Sequence, residues 1–225
     1  AGMVVVDEEE FRRLPGMIAL LRAARALVRG DMPETVKYAQ RVLDLAPEDA
    51  HLMLGGAASQ LGLAAWTSGD LETARRMTAD GMVHVRLAGY ISAAIGGARV
   101  LADIQIAQGH LHEAMSTYER GLQWATEPGA PVLRGAADMY VGMSDLEREH
   151  NNLKTATQHL LTSQALGDLA GSPPNPYRWC AAMARIRVIQ GDLDGALDLL
   201  DQAERLYDGA FAPNVRPIAT RKVRV

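Results

Sequence analysis

The sequence predicts an all-α protein of about five antiparallel helix pairs in one continuous array, on the strength of three observations. A six-residue phrase recurs as Gly30-Asp31-Met32-Pro33-Glu34-Thr35, Gly69-Asp70-Leu71-Glu72-Thr73-Ala74, Gly109-His110-Leu111-His112-Glu113-Ala114, Asn151-Asn152-Leu153-Lys154-Thr155-Ala156 and Gly191-Asp192-Leu193-Asp194-Gly195-Ala196. Successive copies begin 39, 40, 42 and 40 residues apart, a period near 40 that chance seldom produces. Between the copies lie Leu-, Ala- and Met-rich segments with apolar residues three and four apart and no sustained alternation of period two. Aromatic residues make up only 5% of the chain, which suits closely stacked helices packed with Ala and Leu.

The residue chemistry of the phrase explains its place. Gly or Asn tolerates the left-handed conformation that ends one helix, Asp or Asn can cap the next, and the small Ala or Thr lets two helices approach. Each copy therefore reads as the corner within a helix pair, not as a DNA-reading motif. The pairs are placed at 16–29 with 33–45, 48–68 with 71–87, 90–108 with 111–125, 132–149 with 152–168, and 176–190 with 193–207. Pro47, Pro128 with Pro131, and Pro173, Pro174 and Pro176 punctuate the joins between pairs. Residues 1–13 form an N-terminal extension, 14–207 the repeat array, and 208–225 the truncated start of a further repeat. Arg216–Val225 reads as a first helix that stops before its partner. A cut end would expose apolar surface that the next repeat normally covers, so dimerisation of the isolated segment could be an artefact of truncation.

Composition excludes several classes. Lys plus Arg number 23 and Asp plus Glu 27, a formal charge of −4, so no basic field exists to hold nucleic acid or an anionic membrane. The single cysteine, Cys180, permits no internal disulfide and no cysteine-based zinc knot, which agrees with a reducing, cytoplasmic location. The first ten residues lack the basic leader and apolar run of a secretory signal. Ala50–Gly69 runs for 20 positions without a charge, long enough to span a bilayer. It also holds His51, Ser59, Gln60, Thr67, Ser68 and four glycines and lacks basic flanks, so a helix buried between neighbours is the expectation.

The repeat pattern resembles the tetratricopeptide repeat family, whose period near 34 residues is shorter than the one seen here. That resemblance implies a right-handed superhelix. Leu14–Ala23 leading to Arg29-Gly30-Asp31, Arg134-Gly135-Ala136-Ala137 running into Glu149-His150-Asn151-Asn152-Leu153, and Val215–Ala219 resemble the sensor region of MalT-like, LuxR-family ATP-dependent transcriptional regulators. The similarity covers nearly the whole chain from Leu14. In that family a nucleotide-switching ATPase precedes the repeats and a helix-turn-helix domain follows them, while the repeats receive an inducer or an inhibitory protein. This chain contains neither a Gly-x-x-x-x-Gly-Lys-Ser/Thr phosphate loop nor a basic recognition-helix domain, so ATP and DNA binding are not assigned to it. The resemblance implies a regulatory sensor module; the alternative is a free-standing repeat scaffold that holds a partner protein's peptide.

Helical spacing locates a candidate groove. Residues thirteen, ten, six and three positions before each corner share one face of each first helix, and in tetratricopeptide repeats that face lines the concave side. The stripe is apolar at first, through Met17, Leu20, Ala24 and Leu27, and charged from Arg99 onward. It offers Ser59 beside Trp66 as a stacking platform, Asp103, Asp138 and Asp145 as acceptors, and Arg99, Arg148, Arg178 and Arg185 as donors to a polar ligand or peptide. Charges so placed more often solvate the inner face and pair with one another.

Other candidates are weaker. His110 and His112 with Glu113 suggest a metal cluster, yet an i, i+2 pair faces different sides of a helix, so solvated corner histidines are the plainer reading. His51, His84, His150 and His159 form no constellation along the sequence. Cys180, among Trp179, Ala181 and Met183, reads as a packed thiol. Trp124 and Trp179 could stack on sugars, though tryptophan at helical spacing is usually core. No nucleophile elbow, zincin motif or dinucleotide fingerprint is present, and neither an enzyme activity nor a cofactor is expected.

Overall fold

A computed structural model of the chain describes residues 8–126 and 131–207. Among the described residues every regular element is helical: α1 (Glu8–Val28), α2 (Met32–Leu45), α3 (His51–Ser68), α4 (Leu71–Leu87), α5 (Ile91–Ala107), α6 (Leu111–Ala125), α7 (Ala136–Glu149), α8 (Leu153–Leu166), a 3₁₀ turn at Asp168–Ala170, α9 (Asn175–Ile189) and α10 (Leu193–Leu206). The chain divides within α5 into two compact units, one ending at Gly97 and the other beginning at Ala98.

All five predicted corners form. Gly30, Gly69, Gly109, Asn151 and Gly191 take φ values from 62° to 87°, the left-handed region that glycine enters freely and asparagine tolerates. Hydrogen bonding repeats with them. The Gly30 N–H donates to the Leu27 carbonyl at 3.0 Å and the Asp31 N–H to the Ala26 carbonyl at 2.9 Å, and the same two bonds recur at the other four corners. They satisfy the carbonyls that a helix end leaves open. A sixth such corner, at Gly89 and Tyr90, ends α4 outside the repeated phrase, with Tyr90 N–H donating to Val85 at 2.9 Å.

Capping is less uniform than the phrase suggests. The carboxylates of Asp31, Asp70 and Asp192 each accept, at 3.0 Å, the N–H three residues on. That bond from Thr73 lowers the Asp70 pKa. His110 and Asn152 make no side-chain cap; the Asn152 amide instead donates to Glu147 at 2.7 Å. The small residue that closes each phrase behaves as its chemistry requires: Thr35, Ala74, Ala114, Ala156 and Ala196 are all fully buried.

In the first unit, Ala19, Ala23, Ala39, Val42, Met53, Ala57 and Leu61 form a core between α1, α2 and α3. The uncharged run from Ala50 to Gly69 becomes α3, and its glycines show why it lacks large side chains. A Cβ on Gly55 would lie 2.8 Å from the Val85 nitrogen, one on Gly62 3.1 Å from the Thr78 nitrogen, and one on Gly81 2.9 Å from the Ser59 nitrogen. The two helices therefore pack backbone to backbone in antiparallel register. No described helix is long and apolar enough to cross a membrane.

The second unit buries Val141, Ala156, Leu160, Ala182, Met183 and Ile186 in one cluster and Cys180, Ala184, Ala196, Leu200 and Ala203 in another. Boundaries depart from expectation in four places, the first being α3, which begins at His51 and not at 48. Helix α1 already includes Glu8, with Pro15 inside it, whereas position 16 was the predicted start. Helix α7 begins at Ala136, not 132, after the left-handed Gly135. Helix α8 stops at Leu166, and Gly167 leads into the 3₁₀ turn. The expected sixth-pair helix at 216–225 lies outside the described residues.

Candidate functional site

The first helices of the three pairs in the second unit bring their charged stripes together. Spacing on α5 sets Arg99 one turn before Asp103, and the guanidinium donates to the carboxylate at 3.2 Å. The other Asp103 oxygen accepts from the Tyr118 hydroxyl of α6 at 2.8 Å and from Arg178 of α9 at 3.0 Å. Asp103 is thus a hub for three donors, joining residues 75 apart in sequence.

Burial gives the hub its strength. Tyr118 is fully buried, and burial together with the Asp103 charge raises its pKa well above the ordinary phenol value. Arg178 is pulled both ways: burial is the largest single influence and would depress its pKa, but Asp103 first, then Tyr118, Asp138 and Tyr177, together outweigh burial and raise it. The Tyr118 ring lies against Gly142 of α7, where any Cβ would stand 2.2 Å from its Cζ.

One turn along α7 a second cluster forms. Arg185 of α9 donates to Asp145, Arg148 approaches the same carboxylate at 3.9 Å, and Arg148 also donates to Glu149 at 2.6 Å. Side-chain exposures of 14–27% for Arg148, Asp145 and Arg185 leave these pairs half-shielded rather than solvated. Nη1 of Arg178 and Nε of Arg148 are buried without a hydrogen-bond acceptor among the described residues. Six residues of the predicted stripe therefore meet one another in two clusters, Arg99 and Arg178 with Asp103, and Arg148 and Arg185 with Asp145.

Asp138 is placed differently. It is 1% exposed, and its two oxygens accept from the Ser172 N–H at 2.7 Å and the Ser172 hydroxyl at 2.6 Å. Arg134 donates to the Gly171 carbonyl at 3.1 Å and the Gly135 N–H to Ala170 at 2.8 Å, so the start of α7 anchors the segment leading into α9. Asp138 is a structural anchor and does not present a free acceptor. Ser59 and Trp66 are also corrected. Ser59 faces Gly81 across the tight α3–α4 contact, and Trp66 is 8% exposed, too enclosed to offer a stacking face.

The remaining candidates resolve individually. Trp179 donates its indole N–H to the Leu160 carbonyl at 2.8 Å and joins both core clusters of the second unit, while Trp124 is half-buried. Cys180 is buried, and burial raises its thiol pKa. His110 lies 3.8 Å from Glu113, and no group of three or more metal-ligating side chains occurs among the described residues. Two contacts escaped sequence reasoning altogether: His159 packs against the Tyr140 ring at 5.8 Å, and His51 meets His84. No local spacing signals such pairs, because each joins two different helices. Tyr118 and Gly142 were missed for the same reason, although a glycine in a helix interior was a usable hint.

Comparison with known proteins decides the family. The model of the MalT-like TPR region matches residues 16–225. The chain belongs to this family. Its MalT-like TPR region has the fold of several solved structures. The apo form of RapI is 10% identical over 86% of this chain and 70% of that one, with a TM-score of 0.66. A thermophilic TPR protein in Thermus thermophilus is 17% identical over 93% and 97%, TM-score 0.61. BtubC from P. vanneervenii is 14% identical over 94% and 96%, TM-score 0.57. No curated protein matches the chain. The MalT-like TPR region is thus an all-α repeat of the tetratricopeptide type, a module of the protein-interaction kind.

Proposed function

We propose that this MalT-like TPR region is the regulatory sensor and interaction module of a bacterial, LuxR-family transcriptional activator. It receives a small-molecule inducer or an inhibitory protein on the first-helix stripe and couples that event to ATPase and DNA-binding domains outside this chain. The reading is carried by the family match over residues 16–225. The charge clusters supply a mechanism. A polar effector that offers acceptors to Arg99, Arg178 or Arg185 competes with Asp103 and Asp145 for the same guanidinium groups, and exchanging those bonds changes how α9 is held to α5 and α7. By linkage the effector must bind one arrangement more tightly than the other, since equal affinity for both would regulate nothing. Self-association and a cytoplasmic location belong to the same proposal.

The decisive experiment is to sequence the coding DNA on both sides of this segment. A phosphate-loop ATPase upstream and a helix-turn-helix domain downstream support the regulator. A stop codon directly after Val225 with a start codon near Met3 overturns it and leaves a free-standing scaffold for a partner's peptide. In the intact regulator, Arg148→Glu with Arg185→Glu is expected to weaken the effector response while circular dichroism stays unchanged; full response in the folded double variant removes this stripe as the site.

A further inference from the structure

Outside the charged stripe, the first unit holds a pair of histidines that the function above does not use. His51 opens α3 and His84 lies in the last turn of α4, and their Nδ1 atoms stand 3.1 Å apart with ring centroids at 5.3 Å. Both rings are half-buried. The pair sits beside the closest part of the α3–α4 contact: Gly55, one turn after His51, touches the backbone of Val85, the neighbour of His84. Two backbones in such contact cannot shift without opening the glycine stripe, so the imidazoles are held in place by the scaffold and not by each other alone.

Two imidazole nitrogens at this separation can serve two purposes. One ring can donate an N–H to the other, or both lone pairs can turn to one cation. An ion bound about 2.0–2.1 Å from each nitrogen sees two atoms 3.1 Å apart at roughly 100°, between the square-planar and tetrahedral angles. We propose that His51 and His84 form a bidentate site for a divalent transition-metal ion of the zinc, nickel and copper class, clasping the first turn of α3 to the last turn of α4. Imidazole suits these ions and not magnesium or calcium, which require oxygen ligands.

Binding needs both Nδ1 lone pairs. The ring that donates in the metal-free pair therefore moves its hydrogen from Nδ1 to Nε2, with no net release of a proton. No third histidine, cysteine or carboxylate joins the pair among the described residues, so water completes the coordination shell. The site is an open one that exchanges its ion readily. It uses none of the residues of the charged stripe, and its test is independent of the regulator proposal.

The test is calorimetric titration of the tag-free 225-residue chain with zinc chloride, paired with thermal unfolding followed by circular dichroism. The expected result is one equivalent of zinc bound and a raised unfolding midpoint. Affinity falls at least tenfold in each of His51→Ala and His84→Gln, with the midpoint shift abolished. A His110→Ala, His112→Ala double variant binds as the parent does. Circular dichroism without metal checks that the variants fold, and His84→Gln, which keeps a polar side chain at the contact, serves if His51→Ala does not. Absence of zinc binding by the parent, or parental affinity in either folded variant, overturns the proposal. So does loss of binding only in the His110, His112 variant.

Discussion

Replacing Gly142 by alanine tests the packing on which the Asp103 hub rests. By helix propensity alone the change is favourable by about 1 kcal/mol, because glycine is a poor residue for a helix interior. The structure reverses the sign. The new methyl would stand 2.2, 2.5 and 2.6 Å from Cζ, Cε1 and Cε2 of Tyr118, well inside ordinary carbon contact. The ring is fully buried and tethered through its hydroxyl to Asp103 at 2.8 Å, so it has to move by about 1 Å with little room to do so. Overpacking of this kind costs about 1–3 kcal/mol. Losing the hydroxyl's bond to a charged acceptor adds about 1.5–3 kcal/mol. After the propensity gain, a net destabilisation of about 1.5–5 kcal/mol is expected. In a chain of this length that lowers the thermal midpoint by roughly 3–20 °C. Urea unfolding of the parent, Gly142→Ala, Tyr118→Leu and the double variant completes the assay. The smaller leucine makes room, so alanine at 142 should cost little or nothing in that background. A Gly142→Ala protein as stable as the parent, or more so, would refute the close approach of α6 and α7.

Three further outcomes follow from the same structure. Asp103→Ala strips Tyr118, Arg99 and Arg178 of their shared acceptor and should cost about 3 kcal/mol or more, against about 1.5 kcal/mol for Tyr118→Phe, which removes only one of the three bonds; equal urea midpoints for the two variants would contradict the hub. Ala114→Trp and Ala196→Trp place a large ring where the parent methyl is fully buried and should each cost on the order of 1–3 kcal/mol, and parental melting of both would show that the corner alanines do not seat the helix pairs. Burial lowers the pKa of His159, so the folded protein favours the neutral ring. Its contribution to stability is present above the unfolded pKa near 6.5 and is lost as pH falls through the lower folded value. Measured in urea at neutral pH and near pH 5, His159→Gln should lose less stability on acidification than the parent; an identical loss would place the acid sensitivity elsewhere.

The repeat architecture was legible because its signals are local. A left-handed residue, a cap and a small side chain lie within six positions of one another, and each of these demands acts on the backbone where it stands. The same locality explains the boundary errors. The predicted start at position 16 falls inside α1, which accommodates Pro15, and the start of α7 is set by Gly135 and the anchored segment at 170–172, which no periodicity reports. Spacing also predicted which face of α5, α7 and α9 carries charge, since helical geometry alone places Arg99 beside Asp103 and Asp145 beside Arg148.

Partner choice between helices was a different matter. Whether Asp138 faces a ligand or the Ser172 backbone, whether Trp66 stacks or packs, whether His51 finds His84, and whether Gly142 serves flexibility or makes room for Tyr118 all depend on residues 33 to 75 positions apart or on different helices. The sequence by itself determined the helices, their corners and the charged stripe, because each arises from interactions within one or two turns. Only the tertiary structure decided which charges are spent on one another and which side chains lie buried, because those outcomes depend on close packing among several helices at once.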